Sequence, residues 1–193
     1  MNTKNKLVLF AIVLFTMSFS VAHAEDTYDI VPSMSSMEVL GTSTLHNWHM
    51  NASNIISTAK VVNNTQIVSS LFKVEVNSLK SSEGTMMDNI AHKSLKMKNY
   101  PEIIFSIQSA KVNSTNKTGF EGTVTGNLMI AGVTRAVAIP VNVTYLVNNM
   151  IKVAGSIPLT MTEFGIKPPT AMLGMVKSGD QIRVAFVLIF KKQ

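Results

Sequence analysis

Phe120-Glu121-Gly122-Thr123-Val124-Thr125-Gly126-Asn127-Leu128-Met129-Ile130 alternates in steps of two. Phe120, Val124, Leu128 and Ile130 share one face with Gly122 and Gly126, and Glu121, Thr123, Thr125, Asn127 and Met129 take the other. Successive side chains of a strand point to opposite sides, so this is a strand with one face in a core. Glycines on the apolar face mark a bend or a close approach. Downstream, Val137, Ile139, Val141, Val143, Tyr145 and Val147 repeat the alternation against Ala138, Pro140, Asn142 and Thr144. Proline has no N–H for a ladder, so Pro140 predicts an edge or a bulge.

The period continues outward in both directions. Phe72, Val74 and Val76 oppose Lys73 and Glu75; Ile103, Phe105 and Ile107 oppose Ser106 and Gln108; Ile151, Val153 and Ile157 oppose Lys152 and Ser156. Ile182 to Ile189 is apolar at nearly every position, which predicts a strand buried on both faces. Shorter candidates lie at Tyr28–Val31, Ser36–Gly41 and Ile55–Val62. Asn148-Asn149 and Lys177-Ser178-Gly179-Asp180 read as turns. Only Glu83–Lys96 changes period: Met87, Ile90, Ala91, Ser94 and Leu95 recur at helical spacing, with Ser81 or Ser82 as the cap. The count is roughly eight to ten strands and one helix, an all-β chain. A sandwich and a closed barrel both satisfy this pattern, and only closure removes the sheet edges.

Residues 1–24 set the compartment. Lys4 and Lys6 precede an apolar run from Leu7 to Val21, and Ala22-His23-Ala24 is a small-x-small cleavage site. The apolar run, about 15 residues, is short of the roughly 20 that a spanning helix needs. The pattern predicts a signal peptide cleaved after Ala24, leaving a soluble periplasmic domain from Glu25 to Gln193. There is no cysteine, so the exported domain is held by packing alone. Loss of Lys4 and Lys6 lowers the net charge from +6 to +4. Without an arginine cluster and interleaved aromatics, that charge does not point to nucleic acid.

Catalytic chemistry has little to work with. There is no Gly-x-Ser-x-Gly stretch, no phosphate loop and no thiol. His46, His49 and His92 are the histidines of the exported part. His46 and His49 fall on opposite faces of a strand, and a zinc site wants a third ligand and usually a carboxylate or thiol. Asp88 and Glu83 read as a solvated helix face. The expectation is no catalytic set, no metal and no cofactor. Met86, Met87 and Met97 gather near the helix, and Met161, Met172 and Met175 flank Phe164-Gly165-Ile166. Methionines suit an irregular or mobile apolar surface, and also ordinary core filling. Pro168–Met175 is uncharged and apolar yet full of breakers: a flap at a pocket mouth, or a segment packed beneath the helix.

Three stretches carry a family resemblance: Met86-Met87-Asp88-Asn89-Ile90-Ala91-His92-Lys93-Ser94 running on to Asn99-Tyr100-Pro101 and Ile104-Phe105; Gly126-Asn127-Leu128-Met129-Ile130-Ala131-Gly132-Val133-Thr134-Arg135-Ala136-Val137; and Thr162-Glu163-Phe164-Gly165-Ile166. With Tyr28-Asp29-Ile30 and His46-Asn47-Trp48, the chain resembles the YceI-like family of exported lipid-binding proteins. It departs from a common family pattern at Ala131, where many members have histidine. The resemblance implies an extended lipocalin-like antiparallel β-barrel of about eight strands with a short helix. It also implies an apolar interior for a polyisoprenoid chain, including isoprenoid quinone tails.

On that basis Phe105, Phe120, Val124, Leu128, Phe164, Phe186, Met87 and Met172 are expected to line the interior. His46, Trp48 and His92 are expected at its entrance. An indole, apolar with one polar handle, often sits where a pocket meets water. The expected function is a non-enzymatic carrier of a long-chain isoprenoid or related lipid, in transient contact with the membrane. Two rivals stand beside it: an enzyme or metal protein using His46, His49 and His92, and a structural or adhesion module with a filled core. Export is directly measurable: N-terminal sequencing of the periplasmic fraction is expected to begin at Glu25, and uncleaved protein in the membrane fraction would make residues 1–24 an anchor.

Overall fold

The computed structural model describes residues 25–62 and 66–193. The segment read as a signal peptide lies outside the described residues. The elements in chain order are β1 (Glu25–Ile30), β2 (Ser36–Ser43), β3 (Asn47–Ala52), β4 (Ile55–Val62), β5 (Gln66–Glu75), β6 (Leu79–Ser81), α1 (Thr85–Ser94), β7 (Glu102–Asn116), β8 (Gly119–Ile130), β9 (Val133–Tyr145), β10 (Met150–Thr160), β11 (Thr170–Ala171) and β12 (Val176–Lys192).

The pairing resolves the choice between sandwich and barrel. Neighbours run β1-β4-β5-β7-β8-β9-β10-β12, and β12 pairs back to β1, closing an eight-stranded antiparallel barrel. β2, β3 and β6 extend the first three strands. β1 and β2 lie end to end along β12, β4 and β3 lie end to end beside them, and β5 continues into β6. The first three staves are thus each interrupted, at Val31–Ser35, Ser53–Asn54 and Val76–Ser78. The interruptions stand side by side: Ser53 N–H donates to Ser78 O and Glu75 N–H to Asn54 O, both at 3.3 Å. The first is stitched to β12, where Val31 N–H donates to Ile189 O at 2.7 Å and Ile189 N–H to Ser35 Oγ at 3.0 Å. Along this line of breaks the backbone groups named above stay paired, as burial demands.

Several local expectations meet a physical explanation here. β7 carries register shifts opposite both inner glycines, between Ile107 and Ser109 beside Gly126, and between Val112 and Ser114 beside Gly122. Pro140 stands one residue past the last β9–β10 pair, Val141 with Gly155. Beyond it the two strands part. The turn Met161–Phe164 and Ile166 follow on from β10 near the start of β9, with Met161, Phe164 and Ile166 buried. Asn148 and Asn149 both take left-handed backbone in the β9–β10 turn, so β9 stops at Tyr145 and Val147 is exposed.

Other readings need correction. Lys177–Asp180 is not a turn but an irregular start to β12. Asp180 accepts Thr162 N–H at 3.0 Å and Thr162 Oγ1–H at 2.6 Å, which holds the kinked strand in place. Both-face burial in β12 is confined to Leu188–Phe190, where Val31–Ser35 crosses its outer side; Val187 is exposed.

The helix is Thr85–Ser94, shorter than expected, and neither Ser81 nor Ser82 caps it. Gly84, at φ 93, is its N-cap. Its C-terminus closes with Lys96 on left-handed backbone and Met97 N–H on His92 O at 3.0 Å. Asp88 is not solvated. It is buried, its Oδ1 accepts Ser81 N–H at 2.7 Å, and its Oδ2 lies 3.5 Å from Lys80 Nζ, so the helix is tied to β6.

That tie has a pH signature. The Ser81 N–H, and then the Lys80 charge, hold the Asp88 carboxyl below its ordinary value of 3.8. A carboxyl with a depressed folded pKa contributes stability above its unfolded pKa and loses it as pH falls through the folded one. Asp88→Asn is therefore expected to melt below the parent at neutral pH, with the gap narrowing as pH drops below 3.8. Thermal melts of both proteins across that range check it.

Candidate functional site

Alternation puts every second residue of the eight staves inside. The inner faces enclose a cavity of about 400 Å³. That is within the range of small-molecule pockets, roughly 300–1,000 Å³. Its middle is bounded by Phe72, Phe105, Val124, Ile139, Val153 and Phe186. At the α1 end it reaches Ser43, His46, Glu83 and Thr170; at the other it reaches Lys111, Val112 and Tyr145. Tyr145 and Val112 are exposed at one end and His46 at the other, so the lining meets solvent at both. The inner face of α1, through Met87, Ile90, Ala91 and Leu95, forms part of the wall beside β6.

Trp48, Phe105 and Phe186 of this wall each lie against a glycine. Gly41 pairs with Trp48 across β2 and β3, and the indole lies directly against the Gly41 backbone, with no space for a Cβ between them. Phe186 packs in the same way on its partner Gly155, and Phe105 lies diagonally against Gly126, two residues from its own partner Leu128. Trp48 Nε1–H is satisfied by Thr42 O at 2.9 Å. Its apolar ring faces the cavity while its polar atom is spent on the hairpin.

Phe105, Phe120, Val124, Leu128, Phe164, Phe186 and Met87 are all on the cavity wall, as are His46 and Trp48. Met172 and His92 are not. Met172 is exposed on a turn, with left-handed backbone at φ 50, and is not part of the cavity wall. His92 is buried between α1 and β6, with Nε2 on Leu79 O at 3.0 Å, and fastens the helix rather than lining an entrance. His49 lies on the outer side of β3, since the period of two separates it from Trp48 and Met50. The three histidines do not converge, and among the described residues no group of three His, Cys, Asp or Glu side chains is placed to hold a metal. His46 sits at the α1 end of the cavity, with Nδ1 2.7 Å from Asn47 O and 3.5 Å from Glu83 Oε1.

Ser57 and Ser70 escaped the sequence reading. Both are buried on the cavity side of β4 and β5, small hydroxyls in a mainly apolar wall. Their signal is a polar residue in the inward register of a strand, and that register is fixed only once the strand pairing is known.

The model of the YceI-like domain matches residues 28–190. No curated protein sequence matches the chain. Among solved structures, BcnA of Burkholderia cenocepacia superposes with a TM-score of 0.68 at 20% identity, covering 83% of this chain and 99% of that one. A polyisoprenoid binding domain from Saccharophagus degradans, implicated in plant cell wall breakdown, gives 0.65 at 12% identity, covering 86% and 98%. A Campylobacter jejuni YceI protein gives 0.59 at 15% identity, covering 75% and 84%. At these identities the likeness establishes the barrel.

The cavity can be obstructed from its wall. Val124 lies on the inner face of β8 at mid-barrel. Val124→Trp is expected to project an indole into open space, at a stability cost of about 1–3 kcal/mol. Lipid recovered by extraction is expected to fall severalfold while the circular dichroism spectrum is retained; unchanged loading in the folded variant would remove Val124 from the ligand's path.

Proposed function

This chain belongs to the YceI-like family, and from that premise we propose that it is a periplasmic, non-enzymatic carrier that shields a polyisoprenoid or other long apolar lipid. An isoprenoid quinone is the head-group-bearing candidate. The observation that carries the reading is the cavity: about 400 Å³ within the barrel, bounded mainly by aliphatic and aromatic side chains. A filled core would serve a structural module better, because unfilled volume forfeits dispersion contacts. The polyisoprenoid binding domain among the structural neighbours supports the choice of ligand class.

The mechanism is burial. A tail that loses roughly 500 Å² of apolar surface gains about 12 kcal/mol. Association and ordering of the tail return about 4–15 kcal/mol of that. The surplus is at most about 8 kcal/mol, a ceiling near micromolar affinity, which suits a protein that must release what it holds. Phe105, Phe120, Val124, Leu128, Phe164, Phe186 and Met87 are the proposed tail contacts, with His46 and Trp48 at the entrance near α1. Ser57 and Ser70 offer the wall's hydroxyls to a polar group carried inside.

Organic extraction of gently purified protein, followed by mass spectrometry, is expected to yield a long-chain isoprenoid. A quinone with an isoprenoid tail is expected to quench Trp48 emission saturably, and a tail without the ring to shift it more weakly. A native mass equal to the bare chain, with no uptake of an offered tail, would overturn the reading.

A further inference from the structure

The α1 end of the barrel carries an apolar collar that the cavity does not use. Leu45 on the β2–β3 turn, Met86 in the first turn of α1, and Met172, Leu173 and Met175 on the loop between β11 and β12 are all exposed, and Leu173 is fully so. These segments are fastened together. Thr44 N–H donates to Lys177 O at 2.9 Å, Lys177 N–H to Thr44 Oγ1 at 3.1 Å, and Thr44 Oγ1–H to Met175 O at 3.3 Å. On the other side of the same turn, His46 Nδ1 lies 3.5 Å from Glu83 Oε1, just before α1. His46, Glu83, Thr170 and Val176 also line the cavity, so the collar rims its mouth.

The loop's backbone is unusual. Met172, Leu173 and Gly174 take φ of 50, 54 and 91, three consecutive left-handed residues, two of which carry large side chains. L residues avoid that region, and strain of this kind persists where it serves a function. Here the two large residues with this backbone are both exposed apolar tips outside the cavity wall. From Pro168 to Val176 the loop has no charge, and exposed lysines, Lys167 and Lys177, bracket it. Neither lysine makes an ion pair among the described residues. Apolar tips between cationic shoulders match a bilayer interface, where the tips enter the acyl boundary and the lysines meet anionic head groups. Among the described residues no helix is long and apolar enough to cross a membrane.

We infer that the collar of Leu45, Met86, Met172, Leu173 and Met175 docks this protein on an anionic phospholipid surface with its cavity mouth against the bilayer. A tail would then pass between membrane and barrel without crossing water. The passage of a tail rests on the carrier reading above; the docking does not.

The test is flotation of the full chain with phosphatidylethanolamine–phosphatidylglycerol vesicles. Binding is expected, weakened by salt and by replacing the phosphatidylglycerol with phosphatidylcholine. Leu173→Asp with Met172→Ser is expected to lower vesicle partition about tenfold or more. Both side chains are exposed, so the fold is retained, and uptake of a detergent-presented tail is expected to match the parent. Lys167→Gln with Lys177→Gln is expected to lower partition on anionic vesicles only. Unchanged partition in the loop variant would overturn the docking, as would a loop-dependent self-association in its place, which would make the collar a contact between copies. Failure of the carrier reading would look different: Val124→Trp and parent alike would take up no tail, while the parent still floated with vesicles.

Discussion

Everything in this molecule depends on the seam where β12 meets the chain's opening strands. Tyr28, Asp29 and Ile30 pair with Lys192, Lys191 and Phe190, and β2 continues along the same edge from Ser36 to Ser43. Lys192 Nζ reaches Asp26 Oδ2 at 2.6 Å, a hydrogen bond that raises the lysine's pKa, and Gln193 N–H donates to Thr27 O. Until this seam forms, β12 and β1 are open edges and the inner faces of all eight strands are wet. The contact joins the two ends of the fold, so it is the most non-local one in the barrel and carries the largest loop-closure entropy. Its gain is proportionate, because one pairing completes the enclosure of both apolar clusters.

Closure alone would give a solid barrel. The interior stays open because the wall supplies bulk unevenly. Phe164, Met161 and Ile166 are buried where β9 and β10 separate, and α1 stands beside β6 where β7 does not reach. The residues between these two fillers are aliphatics in register and rings backed onto glycine. The helix is held by polar contacts at its edge, Asp88 to Ser81 and His92 to Leu79, which leaves its apolar face free for the lumen.

Most of the strands were legible in the sequence because a half-buried strand must alternate, and Phe120–Ile130 does so without a break. The barrel itself was not legible from alternation. A sandwich uses the same pattern, and the family resemblance supplied the closure. Local errors have a common cause. Lys177–Asp180 has the composition of a turn, yet the Thr162–Asp180 hydrogen bonds keep it in β12. His92 and Asp88 have the composition of a polar surface, yet both are buried by the packing of α1 on β6. Met172 was expected in the lining from the family resemblance, yet it is exposed on a turn of left-handed backbone. In each case the outcome lies in tertiary contacts or loop backbone, and neither is written in the periodicity. For the site, the strand-borne residues could be placed by parity, whereas those on turns and helix flanks could not.

The glycine at position 41 gives the wall a lever. Its backbone is covered by the Trp48 ring, and the atoms a Cβ would meet there all belong to that ring. The ring borders the cavity on its other side. One added carbon at residue 41 would therefore force the indole out of its present place. The position of the Trp48 ring on the cavity wall is thus gauged by the absence of a single methyl group at residue 41.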